Sequence, residues 1–254
     1  MNFRLICISL SLLMALSMSL KAQDSTKTEA NKIVSFHFHY GFMLPAADMA
    51  LRYGANSNAG GGFSYKTSSN WVFEGDFNYI FGGKIKIEDS LFQDIADDDG
   101  NIIDGNGQFA EVYTYERGYY IMAGVCKITP WLRANANSGI TFGLGAGFMQ
   151  HKIRVYNPDN TAVEVCGDYV KGYDYLSNGF AIRQFVGYTM FGEQRIYSFK
   201  FGFEIVEAFT QGRRDYLFPM HGPDTAKRLD ILYGLKLVWT IPFKRSTGDV
   251  YYYF

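Results

Sequence analysis

Residues 34 to 44 alternate strictly. Val34, Phe36, Phe38, Tyr40, Phe42 and Leu44 share one side of an extended chain, and Ser35, His37, His39 and Gly41 share the other. A period of two is the signature of a β-strand with two unlike faces. The pattern returns at Trp71, Phe73, Phe77, Tyr79 and Phe81 against Glu74, Asp76 and Asn78. It returns again at Ile140 to Phe148, with glycines on the second face, and at Tyr197 to Ile205 against Ser198, Lys200, Gly202 and Glu204. The last clear run is Ile231 to Ile241, against Gly234, Lys236 and Thr240. Weaker strands fit at 59–66, 117–128 and 179–191; the parity of the last two stays open, since Arg183 and Gln184 point opposite ways.

Eight strands with no amphipathic helix between them predict an all-β fold. Short turns at 67–70, 129–138 and 192–195 alternate with long connections at 45–58, 86–116, 154–178 and 212–229. An even strand number with long loops sorted to one end is the layout of a closed, antiparallel, up-and-down transmembrane barrel. The apolar faces hold no charge, whereas Lys or Arg facing lipid at mid-bilayer costs about 2–4 kcal/mol. The apolar faces are therefore assigned to lipid. Glu74, Asp76, Lys200, Glu204 and Lys236 are assigned to the interior, where an eight-stranded barrel has room for side chains but no channel.

The N-terminus fits this placement. Arg4 precedes an apolar run from Leu5 to Leu20, which ends at Lys21-Ala22-Gln23. Residues 1–22 read as a secretory signal peptide cleaved after Ala22. Residues 23–32 read as a short polar leader and 33–254 as the barrel domain. Residues 1–22 carry Arg4 and Lys21 and no acid, so removing them moves the formal charge from −1 to −3. That balance gives no electrostatic case for nucleic acid. Mean hydropathy is −0.09, as expected when only alternate residues meet lipid.

With its eight alternating strands, Gly- and aromatic-rich body and aromatic C-terminus, the chain resembles small outer-membrane barrels of the OmpA/OmpX type. The Lys-Ala-Gln signal end and the Tyr-rich tail from Val250 to Phe254 are similar to such proteins from Bacteroidota. The resemblance implies outer-membrane lipid and lipopolysaccharide as surroundings. It also implies recognition by the barrel insertion machinery, with Gly234, Leu237, Trp239 and Phe254 resembling the signal that machinery reads.

Candidate chemistry is sparse, and no motif asks for a cofactor. His37 and His39, two apart on one strand face, offer two imidazoles to a metal or hydrogen bonds to the interior. Ser177, Asp174 and His151 are the residue types of a rim-sited enzyme acting on lipid A, phospholipid or peptide, but no nucleophile motif joins them. Asp97, Asp98, Asp99 and Asp104 make an acidic tip on the longest loop; it fails the EF-hand spacing and is assigned to solvent or to a binding surface. Arg52, Arg213, Arg214, Lys227 and Arg228 are candidate rim cations for lipopolysaccharide phosphates. Tyr113, Tyr115, Tyr169, Tyr173 and Tyr175 are assigned to an interfacial girdle. Cys126 and Cys166 are expected at opposite ends, too far apart for a disulfide. The favoured reading is a non-enzymatic barrel that binds an envelope partner through its loops, with type IX secretion as one setting by lineage analogy.

Overall fold

A computed structural model describes residues 30–132, 134–192 and 198–246. The proposed signal peptide, most of the leader, Tyr197 and the tail with Phe254 lie outside them. Eight strands follow in chain order: β1 (Lys32–Ala47), β2 (Asn56–Lys66), β3 (Trp71–Gly82), β4 (Tyr113–Ile128), β5 (Gly139–Tyr156), β6 (Ser177–Phe191), β7 (Ser198–Gly212) and β8 (Lys227–Ser246). Each pairs antiparallel with the next, and β8 pairs with β1 to close the barrel. No sheet edge is left open, which removes the usual template for aggregation.

The register fixes the shape. Following paired residues from Ile33 through Lys66, Val72, Cys126, Gly143, Phe185, Glu204 and Gly234 leads back to β1 at Met43. The ten-residue offset between Ile33 and Met43 is the stagger that strand tilt requires, about 35–45° in such barrels.

Side-chain parity follows the alternation. Phe38, Tyr40, Phe63, Phe77, Ile121, Phe180, Phe201 and Leu235 point outward and are each about half exposed. His37, Glu74, Asp76, Glu204 and Lys236 are buried inside. The β2–β3 turn closes on Asn70 in the left-handed region (φ 62°), with Thr67 N–H donating to Trp71 O. Asn tolerates that conformation better than most residues.

The structure differs from the sequence reading at the long-loop end, where strands run further than the apolar alternation did. β5 continues to Tyr156 and β7 to Gly212, and the first connection shrinks from the expected 45–58 to 48–55. The cause is an inversion of polarity. Above Phe148 the outward positions of β5 become Gln150, Lys152 and Arg154, while Met149, Ile153 and Val155 turn apolar and buried inside. Those inner residues meet a lid made by the loops. A short helix, α1 (Met49–Arg52), and a second, α2 (Glu88–Leu91), bring Met49 and Leu91 onto Phe92, Ile102, Val165 and Tyr173. At the other end Ile33, Ile128 and Phe191, with Val72, form a smaller apolar plug. No helix among the described residues is long and apolar enough to cross a membrane.

Candidate functional site

Between plug and lid lies the charge network that the sequence placed inside, and its members do pair. Lys200 Nζ donates to Glu74 Oε2 at 2.7 Å, and Lys236 Nζ donates to Glu204 Oε2 at 2.9 Å and to Asn78 Oδ1 at 3.0 Å. Tyr120 adds a bond to Glu204 at 3.0 Å. The organising residue was missed. Arg183 of β6 donates to Asp76 with one guanidinium nitrogen and to Glu74 with the other. A signal for it existed: the nominated acids Glu74, Asp76 and Glu204 outnumber Lys200 and Lys236 by one. An unbalanced charge in a dry interior is costly. Parity hid Arg183 because Gln184, beside it, faces out and hydrogen-bonds Glu207 of β7 at 3.2 Å. Glu207 is thus a carboxylate on the outward wall, beyond the run used to define that face.

His37 joins this network, and His39 lies beside it with no hydrogen-bond partner for either ring nitrogen. His37 Nε2 lies 2.5 Å from Asp76 Oδ1. With His39, the three place ligand atoms all within 4.8 Å of one another, so Asp76 is the third group that sequence spacing could not supply. Arg183 already neutralises Asp76, and Lys236 and Lys200 act electrostatically on His39. These cations oppose a further positive ion, and the arrangement does the work of a charge-balanced plug. Gly60 and Gly62 of β2 leave the space both imidazoles fill; a Cβ at either would stand 2.9 Å from an Nε2.

A second buried network sits nearer the long loops. Asp230, fully buried, accepts from Arg52 (2.9 Å) and from Thr210, and pairs with His151 Nε2 at 2.9 Å. The other imidazole nitrogen of His151 meets Tyr53 OH at 3.3 Å. Ser177 Oγ accepts from Arg52 and donates to Tyr175 O, and Asp174 is held by Arg214 at 2.5 and 2.8 Å. Both nitrogens of His151 are committed elsewhere, so Ser177, His151 and Asp174 do not form a nucleophile–base–orienter chain.

Three expectations are corrected here. Arg52 is not a rim cation; it is 5 % exposed and neutralises Asp230. Arg214 and Arg228 are consumed by Asp174 and Asp224. Tyr173 is not a girdle residue; it is buried in the lid against Phe92 and Phe218, and Tyr175 packs on the same cluster. Tyr113 and Tyr115 do lie at the loop end of β4, and Tyr169 is exposed. Cys126 is buried in the lower interior, with Sγ 3.3 Å from Glu74 Oε1, whereas Cys166 sits in the third long connection.

The acidic tip is built from self-contained turns. Asp97 Oδ1 accepts the backbone N–H of Asn101 (2.7 Å) and of Asp99 (3.1 Å). Asp104 Oδ1 accepts those of Asn106 and Gln108, each at 2.8 Å. These N–H groups hold both carboxyls below the usual Asp range. Asp98 and Asp99 are exposed. Beside the tip, the third and fourth long connections enclose a cleft of about 550 Å³. Its walls include Tyr169, Tyr216 and Phe218, with Lys171, Arg214 and Asp168 at hand.

Fold and site together define a closed, plugged, eight-stranded barrel with an ordered cap. Among known proteins, no family model matches the chain, and no curated protein matches it. Solved structures similar to it include Neisserial surface protein A, at 11% identity and TM-score 0.46, covering 83% of this chain and 97% of that one. Another is Ail, the attachment invasion locus protein of Yersinia pestis, in complex with the heparin analogue sucrose octasulfate. It matches at 11% identity and TM-score 0.43 over 84% of this chain and 99% of that one.

Proposed function

We propose that the chain is a non-enzymatic outer-membrane barrel that presents its capped loops to a partner of the cell envelope. The outward band of β4 carries the reading. Between Lys127 and Arg117 its outward residues are Val125, Ala123, Ile121 and Tyr119. Ten residues at about 3.3 Å each, tilted about 40°, give a height of roughly 25 Å. That is the height of the apolar band of an outer-membrane barrel. A soluble barrel has no reason to expose Phe38, Phe63, Phe180 and Phe201 in one belt while burying Glu74, Asp76, Arg183, Glu204 and Lys236, because exposed patches on soluble monomers are small.

The interior supports a structural role over transport. Plug, salt-bridge layer and lid fill the bore in succession, and the third and fourth connections form a concave surface at the loop end. An accessory part in a larger envelope assembly fits these features. By lineage analogy, the type IX secretion machinery of Bacteroidota is the specific setting we favour.

The test combines fractionation with co-purification. The protein should fractionate with the outer membrane and retain a stoichiometric envelope partner, lost when Tyr169 and Tyr216 are replaced by Ala. Deleting the gene should leave lipid A mass spectra unchanged. Altered acylation on deletion would instead favour the rim-enzyme reading.

A further inference from the structure

Of the rim cations nominated from sequence, Arg52, Arg214 and Arg228 are neutralised in the fold, but another basic group is not. Arg117 of β4 and Lys152 and Arg154 of β5 all point outward, and Arg117 pairs in register with Lys152. With Tyr79, Tyr119 and Gln150 they line a surface cavity of about 290 Å³. We propose that this cavity binds the phosphate of lipid A in the outer leaflet, an assignment that rests on the outer-membrane reading above.

Three observations point there. The first is level. Arg117 marks the upper limit of the roughly 25 Å apolar band on β4, and at the same height the wall changes from Phe148 to Gln150, Lys152 and Arg154. Outward side chains at that boundary meet headgroups, not tails.

The second is charge. No outward position of β3, β4 or β5 among the described residues is acidic. Arg117 donates to the backbone carbonyls of Glu116 (2.7 Å) and Gly82 (3.4 Å), and its guanidinium lies over the Tyr115 ring. Arg154 lies over Tyr156. Lys152 reaches one carboxylate, Asp174, at 3.6 Å, which Arg214 already holds at 2.5 Å. Glu116, the nearest acid in sequence, points inward and accepts from Asn56 with both oxygens. Three cations grouped without matching anions repel each other unless an anion is supplied.

The third is fit. Two guanidinium forks and an ammonium are the donors that a phosphate group uses best. Tyr79 and Tyr119 flank the cavity with amphipathic rings, as side chains do at a membrane interface. Basic pockets at the headgroup level are a general means of holding anionic lipids.

The experiment uses the full chain purified in mild detergent. Native mass spectrometry measures retention of phosphorylated lipid A, the same lipid A dephosphorylated, and phosphatidylglycerol. The wild type should retain phosphorylated lipid A about tenfold or more over both others. R117Q/K152Q/R154Q should lose that preference, whereas R117K/R154K, which keeps the charge but not the forks, should retain a reduced preference above that of the triple variant. Heat-modifiable migration and outer-membrane fractionation report on folding and placement. Equal retention by folded wild type and triple variant would overturn the site and leave the barrel reading intact. So would equal retention of phosphatidylglycerol. A wild-type chain absent from the outer membrane would overturn both.

Discussion

Arg183 of β6 reaches across the interior to Asp76 of β3, joining two strands that are three apart around the barrel. It holds Glu74 as well, so removing it leaves Glu74 with Lys200 and Asp76 with His37 as their remaining partners. Breaking a buried pair from one side costs about 3–5 kcal/mol. Arg183→Met should lower the urea midpoint of the refolded barrel by that equivalent. Adding Glu74→Gln and Asp76→Asn should recover most of the loss, because apolar or neutral replacement of a whole network is often tolerated. A neutral Arg183→Met would show that the layer is not coupled.

The bore should not conduct. The plug of Ile33, Ile128 and Phe191 lies below the charge layer, and the lid lies above it. Planar-bilayer recordings of the inserted protein should show no stable porin-like openings. Large, reproducible channels would mean that plug or lid leaves the barrel.

Much of this was legible because each face of a closed barrel obeys one rule. The alternation at Val34–Leu44 and at Trp71–Phe81 gave strands, parity and the inward carboxylates together. What failed did so where that rule stops applying. Above Phe148 the outward face turns polar and the inward face meets the lid, so both reverse polarity and the strand ends disappear from an apolar pattern. Arg52 and Tyr173 were misassigned for a related reason. In sequence they stand in polar connections, and only long-range packing on Asp230 and Phe92 buries them. Arg183 was obscured by its outward neighbour Gln184.

The acidic tip should depend on pH in a defined direction. Backbone N–H groups, Asn101 first for Asp97 and Gln108 first for Asp104, hold both carboxyls below their usual range. A depressed pKa means that the stabilisation is complete above the unfolded value, about 3.9, and is lost as pH falls through the folded value. Carbon-13 carboxyl titration should place both groups below about 3.9, with the tip ordered at neutral pH and loosening only below that point. Titration at or above the ordinary value would contradict the turn geometry.

Glu207 is the half-buried outward counterpart of the buried acids, set between Ile205 and Phe209 and bonded to Gln184. A carboxylate facing lipid disfavours insertion by less than the about 2–4 kcal/mol of a basic residue. Glu207→Leu should therefore raise the stability of the barrel in vesicles by about 1 kcal/mol or less. A marked loss would show that this stretch of wall meets a polar partner within the membrane.

The most direct test of the whole account is topology on living cells. Gly100 stands exposed in the second long connection with φ 84° and open space around it. An epitope tag inserted after Gly100 should leave the barrel folded and be labelled by antibody on intact cells. If the tag is reached only after the outer membrane is permeabilised, the long loops face the wrong side and the account is contradicted.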